Sequence, residues 1–186
     1  SVGIAARQVY TPRWAHCDDN HAWVEVFVDG EWHFLGACEP EEVLDTGWFS
    51  GPANRAILIH TRNFSDYVKE SNEEYLGKEG ALYYFNHTDF YGRTKLVKIL
   101  VKDENGKPAA GAHIAVEILN MAEFFPAAVM IADADGEVRM TLGLGDIRVR
   151  AFDGIRRAEA MMRIEEEDSL EPVSYTHLRA HETGAY

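Results

Sequence analysis

Cysteine is scarce in this chain, with only Cys17 and Cys38 among 186 residues. That excludes a disulfide scaffold, although the two could close one bond in an oxidising compartment. Positive charge is also short. Lysine and arginine total 18 against 31 aspartates and glutamates, a formal net charge of -13. Nucleic acid or an anionic membrane surface would need a basic patch and is not expected as a partner. No apolar run approaches the ~20 residues of a membrane span, no signal peptide opens the chain, and there are no internal repeats. Apolar residues make up 46% of the chain, enough for a sizeable core in one or two domains.

The most informative stretch is Asn20 to Glu39. Ala22 to Val28 alternates and is rich in β-branched and aromatic residues, Asp29-Gly30 follows, and a second run spans Glu31 to Leu35. This pattern predicts a β-hairpin with a type I′ turn, because Asp-Gly tolerates the positive φ angles such a turn requires. The turn fixes the register, so His21 at the head of the first strand is expected to approach Cys38-Glu39 beyond the end of the second. An imidazole steadied by a carboxylate is two parts of a nucleophile-activating triad.

The run His21-Ala22-Trp23-Val24-Glu25-Val26, followed by Asp29-Gly30 and Trp32, resembles the transglutaminase-like, papain-related superfamily. Val2-Gly3-Ile4-Ala5-Ala6-Arg7 resembles that family's Gly-Ile-Pro-Ala-Arg strand, with Ala5 where proline is usual. The resemblance implies that His21 takes the proton of a cysteine thiol, that the thiolate attacks an amide carbonyl, and that the substrate is a protein or peptide. It also implies an aspartate a few residues after Trp32, but Gly36 stands there and Glu39 is the nearest carboxylate. The expected catalytic residues are therefore His21 and Glu39. The family's nucleophile lies at the N-terminus of a helix preceding these strands, so a chain opening at Ser1 reads as a fragment lacking it. Cys17 and Cys38 are not assigned that role. No cofactor is implied. A zinc site among His16, Cys17, His21, His33 and Cys38 is disfavoured, because the spacing matches no ligand pattern.

Further on, Ala56-Ile57-Leu58-Ile59-His60 reads as a strand and Arg62 to Gly80 as an acidic surface segment. Short strands between turn signals recur from Lys95 onward. The spacing Asp103-x-x-Gly106-x-Pro108-x-x-Gly111-Ala112 resembles carboxypeptidase-regulatory-like and bacterial immunoglobulin-like modules, which imply spacer or adhesion roles. Asp133-x-Asp135-Gly136 reads as a turn rather than a calcium loop, since the later ligands are missing. Asn63 and Asn86 match glycosylation acceptor patterns. Trp14, Trp23, Trp32 and Trp48 are core aromatics by default, with a substrate cleft as the rival use.

The expected fold class is α+β, mostly β. Residues 1–60 read as the C-terminal half of a transglutaminase-like core sheet and residues 61–94 as an irregular connecting segment. Residues 95–165 read as an all-β immunoglobulin-like sandwich. The tail, 166–186, resembles translated sequencing adapter from about residue 173 and is expected to take no part in the fold. The functional expectation is an exported, cysteine-dependent amide hydrolase or acyl transferase. The alternative is a non-catalytic binding or adhesion module.

Overall fold

The computed structural model describes residues 3–64, 73–165, 173–177 and 179–180. It is mostly β, with antiparallel pairing nearly throughout. The first unit is one six-stranded sheet in the order β3-β2-β1-β4-β6-β5. Its strands are β1 (Ala6–Thr11), β2 (His21–Val28), β3 (Glu31–Leu35), β4 (His60–Phe64), β5 (Glu74–Glu79) and β6 (Leu82–Asn86). The β2–β3 hairpin forms as expected: Asp29 and Gly30 take φ of 53° and 91°, the positive pair a type I′ turn needs.

The period-two alternation of these strands places Val9, Trp23 and Phe34 on one face. There they form a core with Trp14, Phe49, Ala53, Ala56 and Ile59. Two single-turn helices, α1 (Ser50–Ala53) and α2 (Thr88–Tyr91), bring Ala53 and Tyr91 to this core. Helices this short have no stability of their own, so packing holds them in place.

Two expectations for the middle of the chain are corrected. The apolar run Ala56 to Ile59 is not a strand; β4 begins at His60. Ile57, Leu58 and Ile59 are nonetheless fully buried. Ile59 joins the first core, while Ile57 and Leu58 enter the core of the second unit. The run is apolar because it passes through two interiors. The segment 61–94 is also not irregular, since it supplies most of β4, then β5, β6 and α2. The polarity of β5 reflects its place at the sheet edge, where Lys78 and Glu79 meet water. Residues 65–72, within the acidic segment, lie outside the described residues.

The second unit is a sandwich of two sheets. Strands β7 (Thr94–Lys102), β8 (His113–Asn120), β9 (Glu123–Ile131), β10 (Glu137–Gly143), β11 (Gly145–Phe152) and β12 (Arg156–Ile164) build it. Alternate residues of facing strands, such as Val97, Ile99, Val101, Ile114, Val116, Met140, Leu142 and Val149, fill its interior. Two turns share one device. Asp103 Oδ1 accepts the Asn105 and Lys107 amides, Asp133 Oδ1 accepts those of Asp135 and Glu137, and Gly106 and Gly136 take positive φ.

The tail departs from expectation. Val173–His177 (β13) lies parallel to β7 and Arg179–Ala180 (β14) pairs with β12. Without β13, the flank of β7 opposite β10 would leave its amides and carbonyls unpaired, and a Val-Ser-Tyr-Thr segment suits such an edge. Residues 166–172, 178 and 181–186 of the tail lie outside the described residues.

The two units interlock. The Gly143 amide donates to the Ile57 carbonyl at 2.8 Å. A Cβ on Gly143 would stand 1.9 Å from the Ala56 oxygen. Asn86 Nδ2 donates to the Thr141 carbonyl at 2.6 Å, and the Thr141 amide donates to the Glu74 carboxylate at 3.0 Å. Asn63 and Asn86 are both buried, which removes them as glycosylation sites.

Candidate functional site

His21 opens β2 opposite Thr11 of β1, on the core-facing side of the sheet. Its imidazole is partly buried in an aromatic enclosure. The rings of Trp48, Phe49, Trp23 and Trp14 lie at centroid distances of 4.7, 5.1, 5.8 and 6.3 Å, with Trp14 and Trp23 stacked at 26° to it. Burial lowers its pKa below the ordinary histidine value. Among the described residues, no hydrogen bond or ion pair joins His21 to a carboxylate.

Glu39 lies on an exposed loop after β3, and no hydrogen bond joins it to His21 among the described residues. That loop is tight at its start: a Cβ on Gly36 would stand 2.7 Å from the Glu39 carbonyl oxygen. The aspartate that the resemblance calls for at position 36 therefore has no room in this loop conformation. Cys17 and Cys38 are both exposed free thiols. An open cleft of about 570 Å³ lies on the opposite face of the sheet, lined by Gln8, Ala22, Val24, Ala37 and Arg62 among others.

A histidine–aspartate pair does form nearby, at His33 rather than His21. His33 Nδ1 and Asp45 Oδ2 are 2.7 Å apart, and Asp45 Oδ1 accepts the Phe34 amide at 2.9 Å. Asp45 holds φ at 61°, and its own amide donates to the Phe34 carbonyl at 2.9 Å. The pair staples shut the loop carrying Cys38 and Glu39. The Asp45 hydrogen bond raises the pKa of His33. A raised folded-state pKa means that this contribution is complete below the unfolded value and is lost as pH rises through the folded one. The stability difference between the native protein and Asp45→Asn should therefore shrink as pH climbs from about 6.5 upward. Urea midpoints of both proteins across that range would measure it. A difference constant with pH would mean that only the backbone bond to Phe34 matters.

Beneath His21 lies a buried polar network that the motif reading did not single out. Arg7 of β1 and Glu25 of β2 have side chains 4% and 0% exposed, with Nε and Oε2 2.7 Å apart. The Tyr91 hydroxyl donates to Glu25 Oε1 at 2.5 Å and accepts the Trp23 indole N–H at 2.7 Å. His87 Nε2 lies 3.2 Å from Glu25 Oε1 and 3.3 Å from Arg7 Nη2. Burial alone would push the Glu25 carboxyl up, but His87, Arg7 and Tyr91 together hold it below its ordinary value. Burial, reinforced by Glu25, drives the Tyr91 phenol far upward, so Tyr91 stays a donor. The network fixes Trp23, and Trp23 forms one wall of the His21 enclosure.

Among the described residues, no group of three or more histidine, cysteine, aspartate or glutamate side chains could hold a metal ion, and no helix is long and apolar enough to cross a membrane. No curated protein matches the chain. Among solved structures, that of a streptococcal ancillary pilin aligns over 93% of this chain and 62% of its own, at 10% identity and a TM-score of 0.38. The chain thus spans less than two thirds of that structure's length. A model of the transglutaminase-like superfamily matches residues 1–37. That match covers β1, the loop before His21 and the β2–β3 hairpin, the stretch that holds Arg7, His21 and Glu25.

Proposed function

We propose that this chain is part of a transglutaminase-like, cysteine-dependent amide hydrolase or acyl transferase acting on a protein or peptide, with His21 as the proton acceptor. The observation that carries this reading is the superfamily match over residues 1–37, which includes His21 at the head of β2. The chemistry asks for a neutral imidazole at rest, and burial among aromatic rings favours that form. The imidazole takes the thiol proton and the thiolate adds to the amide carbonyl. The tetrahedral intermediate collapses to a thioester as the amine leaves with the imidazolium proton. Water or a second amine then releases the acyl group. Neither Cys17 nor Cys38 sits at a helix N-terminus, so the attacking thiol is assigned to neither. Glu39, on the loop that His33 and Asp45 hold, is the proposed orienting acid.

One observation favours a second reading, a non-catalytic binding module: no carboxylate is hydrogen-bonded to His21 among the described residues. An active protein containing this chain should release ammonia from a glutaminyl peptide. His21→Ala should lower that rate by a factor on the order of 10²–10⁴, and Glu39→Gln should lower it less. An unchanged rate in His21→Ala would remove the assignment. A native protein that binds the peptide without releasing ammonia would establish the binding reading.

A further inference from the structure

We infer that the sandwich positions His21 through Asn120, whose side-chain amide is built into the loop preceding the histidine. The inference rests on the reading of His21 as the proton acceptor. The connection from Pro12 to Asn20 folds back so that the Trp14 amide donates to the Asp19 carbonyl at 3.1 Å. Such a loop leaves backbone groups in need of partners. Asn120, at the end of β8, supplies them. Its Nδ2 donates to the Trp14 carbonyl at 2.9 Å and the Cys17 carbonyl at 2.8 Å, and its Oδ1 accepts the Asp19 amide at 3.1 Å. Asn120 is 4% exposed, and only an amide of this length offers both donors and an acceptor on one planar group.

The turn that presents Asn120 is itself unusual. Met121 and Ala122, the two residues between β8 and β9, hold φ of 51° and 60°. Glycine or asparagine normally occupies such positions, so the turn carries backbone strain where it grips the loop. The Met121 amide donates to Asp18 Oδ1 at 2.9 Å, and Arg13 stacks over the ring of Phe125 on β9 at 4.2 Å. Sandwich residues thus touch the loop at Arg13, Trp14, Cys17, Asp18 and Asp19. Trp14, fixed at its carbonyl by Asn120, stacks on His21. Asn120 is a positioning residue: it orders a loop, the loop places an indole, and the indole places the imidazole. The second unit is thereby a working part of the site rather than a spacer.

The test uses the full chain and compares Asn120→Asp with Val149→Ala, a sandwich-core change away from the loop. Asn120→Asp keeps the acceptor for Asp19 and loses both donors. Hydrogen exchange at the Trp14 amide should accelerate by roughly tenfold, what one or two hydrogen bonds are worth. The His21 titration midpoint, followed by NMR, should move up toward the ordinary value as its enclosure loosens. Val149→Ala should move neither beyond what its own loss of global stability accounts for. If Asn120→Asp fails to fold, Asp18→Ala removes the Met121 bond at an exposed site and should shift both quantities the same way, by less. An unchanged His21 midpoint overturns the inference, even with faster Trp14 exchange, because Asn120 would then hold the loop without placing the ring. Neither readout depends on turnover. A protein that shows both shifts, while His21→Ala leaves ammonia release unchanged, would contradict His21 as the proton acceptor while leaving its placement by Asn120 standing.

Discussion

Replacing Arg7 with alanine should destabilise the protein by about 3–5 kcal/mol, the range for removing one partner of a buried ion pair. The cost comes from what remains. Glu25 would keep its place at 0% side-chain exposure with its nearest full positive charge gone. Tyr91 and His87 would still bond it, but neither carries the permanent charge of a guanidinium. The measurement is a urea midpoint at pH 7 and again at about pH 4, where a protonated Glu25 should recover part of the loss. The sign follows from the depressed Glu25 pKa of the native fold: stability tied to its charge is present above the unfolded-state value and lost as pH falls through the folded one. Arg7→Lys should recover the charge but not the contact to Glu73 or the stacking over the Trp32 ring at 3.9 Å. If Arg7→Ala costs less than about 1 kcal/mol, as an exposed pair would, water reaches Glu25 and the burial described above is wrong.

Trp23→Ala should cost a similar amount, about 3–5 kcal/mol, through the cavity it leaves. Trp23 is fully buried and contacts the rings of Phe49, Tyr91 and His21. It also donates to the same tyrosine that donates to Glu25. The effects of Trp23→Ala and Arg7→Ala should therefore not add. A double-mutant cycle in urea should return a coupling of about 0.5–3 kcal/mol. A sum within error would mean that the indole N–H and the ion pair act independently. Trp23→Ala also removes one wall of the His21 enclosure, so the histidine midpoint should rise alongside the stability loss.

The hairpin could be read from residues alone because every local signal agreed. Alternation, β-branched content and Asp29-Gly30 all demanded the same structure, and no distant contact competed. β7, β8, β10 and β11 were legible for the same reason, whereas β12 (Arg156–Ile164) and most of β9 (Glu123–Ile131) were not read as strands. The run Ala56 to Ile59 misled because an apolar segment reads alike whether it pairs or only passes through a core. β5 misled in the opposite way, since an edge strand carries the charge expected of a surface loop. The Arg7–Glu25 pair left a signal that the motif reading passed over. Trp23 faces the core, so Glu25 two residues on must face it too, and a buried carboxylate requires a partner. Asn120 left none. Its role depends on Trp14, Cys17 and Asp19, about a hundred residues away in sequence, and nothing near position 120 announces it.

The path of residues 56–59 also bears on how the polypeptide can be trimmed. Ile57, Leu58 and Ile59 are shielded from water by opposite halves of the molecule, and the Ile57 carbonyl is already claimed by Gly143. A cut anywhere in this stretch, made to express either half alone, would leave greasy stumps on both products and an unfilled slot in each. The joint belongs to both halves at once.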